Sequence, residues 1–176
     1  MGREVNGGFA DYCVAGTTHT YKLPDEIDGK TGAAIQVLTT VLHAQDNGEV
    51  GEGDTVAVTG LGVTGLMHIQ LAKARGAKRV IGVSRNAHKR EVSLALGADA
   101  AVTHGPDAKR TVLDATDGVG ADVVIECVGA MPVLGEAMDL ARLGGRLIPF
   151  AIYPSGQAEL PFYDLYFKEL QVLNAR

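Results

Sequence analysis

From Thr55 onward, short and almost unbroken apolar runs alternate with longer stretches of helical spacing. The runs are Thr55–Thr59, Arg79–Ser84, Ala100–Thr103, Asp122–Cys127, Arg146–Ala151 and Leu170–Leu173. They are rich in Val and Ile, as strands buried on both faces should be. Helices are predicted between the first five. Thr64–Arg75 stops at Gly76. Asn86 is placed to cap Ala87–Leu96, which stops at Gly97. Asp107 is placed to cap Ala108–Thr116. Pro132 opens a helix through Arg142, which stops at Gly144. This alternation predicts an α/β fold, a doubly wound six-stranded parallel sheet in the order 3-2-1-4-5-6.

The first 50 residues differ. Phe9–Ala15 reads as a strand, Lys22–Asp25 as a turn, and Thr31–Gln45 as a buried helix with Ile35, Leu38 and Leu42 on its apolar face. A lone strand ahead of the repeating unit has no obvious partner here. That points to a domain from something longer. His43 and His68 fall on helices read as buried and are expected in core or capping roles, and His19 in a surface loop.

Composition narrows the class. The length of 176 residues suits one domain, or one plus a fragment of another. At 46% hydrophobic and 21% charged, the chain is not disordered. A net charge of −5 argues against nucleic acid as a partner. Cys13 and Cys127, without a C-x-x-C, exclude a disulfide scaffold and a cysteine-rich zinc module. Free thiols and the lack of a signal-peptide pattern point to the cytoplasm. The uncharged run Thr55–Ala72 holds three Gly, three Thr, His68 and Gln70, too polar to cross a membrane. Thr55–Arg90 contains seven Lys or Arg and no acid. It is either a solvated basic face or a site for a phosphorylated ligand.

Gly60-Leu-Gly62-Val-Thr-Gly65 follows the first strand of the repeating unit and opens a helix, with the next strand about 20 residues on. In that context the glycines read as a dinucleotide fingerprint. Gly60 allows the tight turn, Gly62 lets backbone approach a pyrophosphate, and Gly65 lets helix meet sheet. The amides of Val63 and Thr64 would then face phosphate at the helix N-terminus. An NAD site expects an acid at the end of the following strand, on the ribose hydroxyls. Here stand Ser84 and Arg85, with Lys89 and Arg90 one turn on. A hydroxyl and a guanidinium suit a 2′-phosphate, so NADP is favoured, with NAD possible if Arg85 only stacks on adenine. The missing acid also argues against an S-adenosylmethionine methyltransferase.

These stretches resemble the cofactor domain of the medium-chain dehydrogenase/reductase superfamily, the zinc-type alcohol dehydrogenases. The resemblance runs through Gly7–Tyr12, Tyr21–Pro24, Gly51–Val56, Gly60–Leu66, Gln70–Lys73, Leu96–Asp99, Gly120–Gly129 and Gly144–Leu147. It implies a Rossmann fold over 25–176, preceded in 1–24 by the tail of a GroES-like catalytic domain. It implies hydride transfer between an alcohol or carbonyl substrate and a nicotinamide. By analogy Cys127, Val128 and Gly129 line the nucleotide cleft. Phe150, Ala151 and Ile152 present backbone to the carboxamide, and Thr40 approaches the nicotinamide. His104 falls near a position where some relatives hold a tyrosine against the 2′-phosphate.

The departures matter too. The family's zinc ligand on the helix before the glycine loop aligns with Gln36, a poor ligand, so no zinc is expected in this chain. No catalytic residue is identified, and the substrate would bind only with the missing domain. A homodimer through the sixth strand is a further expectation. The alternative function is a non-catalytic nucleotide-binding or sensor module.

Overall fold

The computed structural model describes residues 6–153 and 159–175. The chain divides into two compact units, Met1–Ile35 and Gln36–Arg176.

Among the described residues, the first unit holds a 3₁₀ turn at Thr17–His19. A tight turn follows, in which the Ile27 amide donates to the Pro24 carbonyl at 3.1 Å. It lies two residues beyond the start of the turn expected over Lys22–Asp25. Helix α1 (Gly29–Asn47) begins here. Asp28 caps it, accepting from the Thr31 amide at 2.7 Å, and this bond holds the Asp28 carboxyl below its usual range. The strand expected over Phe9–Ala15 does not form. Phe9, Tyr12 and Val14 are almost wholly exposed. A strand needs a neighbour to accept its backbone bonds, and residues 9–15 have none among the described residues.

The second unit contains β1 (Thr55–Thr59), β2 (Arg79–Val83), β3 (Ala100–Val102), β4 (Ala121–Glu126), β5 (Ala141–Pro149) and β6 (Gln171–Val172). The helices between and after them are α2 (Val63–Ala74), α3 (Ala87–Ala95), α4 (Pro106–Ala115), α5 (Met131–Leu140) and α6 (Phe162–Phe167). All strand pairs are parallel and their order is β3-β2-β1-β4-β5-β6, as the sequence predicts. Alternation along the strands divides the core in two. Val56, Val58, Val123 and Ile125 face one side with Ile69 and Ala72 of α2. Ala57, Val83 and Val124 face the other with Val112 of α4 and Leu134 and Met138 of α5. Covering both faces is what turns the strands into near-continuous apolar runs. Thr59 pairs with Val83 on one flank and Glu126 on the other, so the carboxyl ends of three strands finish level.

Three further expectations are corrected. Asp107 does not cap α4. Gly105 is the N-cap, Pro106 takes the first turn, and Asp107 pairs with Arg110 at 2.8 Å. Helix α5 ends at Leu140, and β5 starts at Ala141 rather than Arg146. That longer strand carries a register shift opposite Ala121–Val123, held where Arg142 Nε donates to Asp122 at 2.7 Å. His43 is exposed rather than buried. Among the described residues no helix is long and apolar enough to cross a membrane.

His68 on α2 is fully buried, edge-on to Phe150 at 4.6 Å between ring centroids. Gln45 Nε2 donates to the His68 carbonyl at 2.8 Å and lies 3.2 Å from Nδ1. An amide nitrogen can only donate, so Nδ1 accepts and the neutral ring carries its proton on Nε2. Burial lowers the His68 pKa to about 3. The unfolded ring protonates more readily than the folded one, so this contribution is whole above the ordinary histidine value of 6.5 and is lost as pH falls toward 3. The slope is about 1.4 kcal/mol per pH unit, or about 2 kcal/mol between pH 6.5 and 5. Urea titrations across that range should show a His68→Gln variant losing about that much less stability than the parent. Equal losses would mean that His68 does not govern this slope.

Candidate functional site

The site is built where the strand order reverses between β1 and β4. Gly60 leaves β1 with φ +89°, a conformation that favours glycine. Its amide donates to the Val83 carbonyl at 2.9 Å. A Cβ on Gly60 would come within 2.6 Å of the Val128 side chain and 3.1 Å of the Cys127 backbone. A Cβ on Gly65 would run into the Gly60 carbonyl oxygen, so α2 rests directly on the turn. Gly62 differs. As N-cap of α2 it has φ −78°, and a Cβ there would meet only open space. No side chain caps α2, and among the described residues the amides of Val63 and Thr64 donate to no carbonyl. Backbone donors thus stand beside space kept clear of side chains, which fits a bound pyrophosphate.

At the end of β2, Ser84 is nearly buried and its amide donates to the Val102 carbonyl at 2.9 Å. Its Oγ accepts from the Asn86 amide at 3.3 Å. Asn86 caps α3 as expected, accepting from the Lys89 amide at 3.0 Å. Arg90 donates to the carbonyls of Ser84 and Arg85 at 2.7 and 3.0 Å, fastening this loop to α3. The Arg85 guanidinium and the Lys89 ammonium are exposed and find no acceptor among the described residues. A cavity of about 600 Å³ gathers Gly60, Gly62, Ser84, Arg85, Lys89, Cys127 and Val128 from the predicted set. His104 and Glu136 line the same cavity. Glu136 accepts from His104 Nδ1 at 2.6 Å and from the Gly105 amide.

The β4 side is organised by Glu126, which is fully buried. Its carboxylate accepts from the amides of Val128 at 2.7 Å and Gly129 at 3.1 Å, and from the Tyr153 hydroxyl. Its carbonyl accepts from Phe150 at 2.9 Å and Ala151 at 3.1 Å. One residue therefore ties the end of β4 to the segment after β5. Gly129 sits against that segment at φ +80°, where a Cβ would lie 2.6 Å from the Ile152 carbonyl oxygen. Cys127, Val128, Gly129, Ala151 and Ile152 are thus brought together, with Ile152 exposed. Burial, aided by the Glu126 charge, pushes the Cys127 thiol above its ordinary range, so it makes a poor nucleophile. Thr40 lies outside the cavity, its hydroxyl donating to the Val37 carbonyl at 2.7 Å.

Sequence reasoning missed Glu136 and the anchoring roles of Glu126 and Arg90. Among the described residues no three His, Cys, Asp or Glu side chains gather around a metal position, and Gln36 is exposed.

The fold and this turn are those of a Rossmann-type domain, with its cleft at the switch point. The chain belongs to the zinc-binding dehydrogenase family, whose model matches residues 63–176. It is 33% identical to a sorbitol dehydrogenase of Halalkalibacterium halodurans, covering 100% of this chain and 52% of that protein. To an L-threonine 3-dehydrogenase of Pyrococcus abyssi it is 32% identical, covering 98% and 49%. A structure described as a zinc-binding dehydrogenase from Sinorhizobium meliloti 1021, bound to NADP, matches with TM-score 0.79 and 35% identity over 88% of this chain and 46% of that one. One described as a short chain alcohol dehydrogenase from Escherichia coli CFT073, complexed with NADH, matches with TM-score 0.89 and 26% identity over 100% and 52%. The chain spans about half the length of the curated relatives it matches.

The glycines should separate by substitution. Gly65→Ala should cost about 1–3 kcal/mol, because backbone must shift. Gly62→Ala should stay within about 0.5 kcal/mol of the parent. Denaturant midpoints check both. A Gly62→Ala loss as large as that of Gly65→Ala would mean the space beside Gly62 is not open.

Proposed function

We propose that this chain is the NADP-binding part of a longer alcohol-dehydrogenase-like oxidoreductase that moves a hydride between an alcohol or carbonyl substrate and a nicotinamide cofactor. One observation carries the reading: a single cavity joins the clear backbone of Gly62 to Ser84, Arg85 and Lys89. In this reading 25–176 is the dinucleotide domain and 1–24 the tail of a catalytic domain. The amides of Val63 and Thr64 take the pyrophosphate, and Gly60 and Gly65 set their position. Ser84 and Arg85 take the 2′-phosphate, with Lys89 adding positive potential. Cys127, Val128 and Gly129 wall the cleft, while Thr40, Ala151 and Ile152 serve the nicotinamide end. The bound nicotinamide supplies the hydride acceptor or donor. Substrate binds only with the rest of the protein, and two copies pair through β6 in the cytoplasm. The dehydrogenase relatives and the NADP-bound neighbour support this reading.

The neighbour with NADH keeps NAD as the competing cofactor. Arg85 and Lys89 are exposed, so solvent screening limits the preference for NADP to about five- to thirtyfold, or about 1–2 kcal/mol. Ser84→Asp should reverse it by repelling the phosphate and accepting from free ribose hydroxyls. Gly62→Ala should weaken both cofactors about tenfold or more. Calorimetric titration of NADP and NAD checks all three. Equal or tighter NAD binding by the unmodified chain would overturn the NADP assignment.

The chain is expected to bind no zinc, since the aligned ligand is Gln36. Metal analysis of the purified protein should find well under one zinc per chain. A stoichiometric, chelator-sensitive zinc would contradict this.

A further inference from the structure

The cavity that offers Arg85 and Lys89 to a phosphate also contains a carboxylate, Glu136. Uncompensated, it would repel a dianion entering beside it. Glu136 is fastened by two bonds across the turn after β3. One oxygen accepts from the Gly105 amide and the other from His104 Nδ1 at 2.6 Å. Both side chains are largely covered, at 18% and 19% exposure. With Nδ1 bound to Glu136, the ring cannot flip without losing that bond. Nε2 is the nitrogen left without a partner among the described residues. The ring is thus held in the cavity wall that holds Ser84, Arg85 and Lys89.

We propose that Glu136 and His104 form a proton-binding pair that couples NADP binding to proton uptake. This inference rests on the NADP reading of the same cavity. When the 2′-phosphate enters as a dianion, His104 Nε2 takes one proton from solvent and donates it in a hydrogen bond to a phosphate oxygen. The Nδ1 proton stays on the bond to Glu136. The imidazolium offsets the Glu136 charge, and a charge-assisted contact forms. NAD brings no phosphate to this wall and induces no uptake. Glu136 is a positioning residue and acts through the ring. Among the described residues, the charged groups lining the hollows on either side of the pair are Arg85 and Lys89 on the β2–α3 side, Lys109 on α4 and Asp139 on α5, with Asp107 in the first turn of α4. Asp107 is paired with Arg110, while Lys109 and Asp139 border a neighbouring hollow on the far side of Glu136.

The test is calorimetric titration of this chain with NADP and with NAD at pH 8, in three buffers of different ionisation enthalpy. At that pH the free phosphate is already dianionic, since its second pKa is about 6. The slope of binding enthalpy against buffer enthalpy counts protons. NADP should take up a measurable fraction of a proton, and NAD none. H104Q should abolish the uptake and weaken NADP about three- to tenfold, leaving NAD within about twofold. E136Q should keep a hydrogen-bond acceptor for the ring but sharply reduce the uptake. Thermal melts confirm that each variant is folded, and either folded variant suffices. NADP preferred over NAD without net uptake, or with uptake unchanged in H104Q, would overturn the pair and leave the NADP reading standing. Equal binding of the two cofactors would overturn that reading, and the pair with it.

Discussion

Everything at this site depends on how closely the backbone approaches itself at the β1–α2 turn. Gly65 lies so near the Gly60 carbonyl that no side chain fits between them, and a Cβ on Gly60 would come within 2.6 Å of the Val128 side chain. These contacts place the start of α2 directly above the gap between β1 and β4. The first turn, whose Val63 and Thr64 amides donate to no carbonyl among the described residues, starts at Gly62 on the wall of the cleft. Were α2 a side chain further out, those donors would face solvent with no wall opposite. Gly62 is the exception that gives the arrangement a use, being the one glycine of the three with free space beside it.

Glu126 makes the second half of the cleft follow from the first. A buried carboxylate must be surrounded by donors. Glu126 finds them in the amides of Val128 and Gly129 and the hydroxyl of Tyr153. Satisfying that one group draws the loop after β4 and the segment after β5 into register. The residues that satisfy it are neighbours of those that would meet the nicotinamide. On the proposed reading, the same bonds serve stability and cofactor binding.

The sheet was legible because each central strand is buried on both faces and reads as a bare apolar run. Helix ends at Gly76 and Gly97 were legible because both carry positive φ, which glycine adopts at little cost. Other features depend on contacts that local pattern does not carry. The early start of β5 rests on Arg142 meeting Asp122, 20 positions away. The place of Glu136 rests on a bond to a ring 32 positions away, and in sequence it is one acid on a helix. His43 was misread because Ala, Thr and Gly along α1 leave its buried face ill-defined. Phe9–Ala15 has the composition of a strand but no neighbour among the described residues. At the site, the glycine turn and the Ser84–Arg85 pair could be found from spacing and chemistry. The anchors beneath them, Glu126 and Arg90, could not be found that way, because apart from the Tyr153 hydroxyl their partners are backbone groups that every residue carries.

On the proposed reading, one cleft takes the pyrophosphate and the 2′-phosphate of NADP, from the α2 N-terminus to the end of β2. A crystal structure of this chain with NADP tests it most directly. The account predicts pyrophosphate oxygens on the amides of Val63 and Thr64, and the 2′-phosphate within hydrogen-bond reach of Ser84 and Arg85. A dinucleotide whose adenosine end lies away from Ser84 and Arg85, or whose pyrophosphate does not meet the α2 amides, would contradict it.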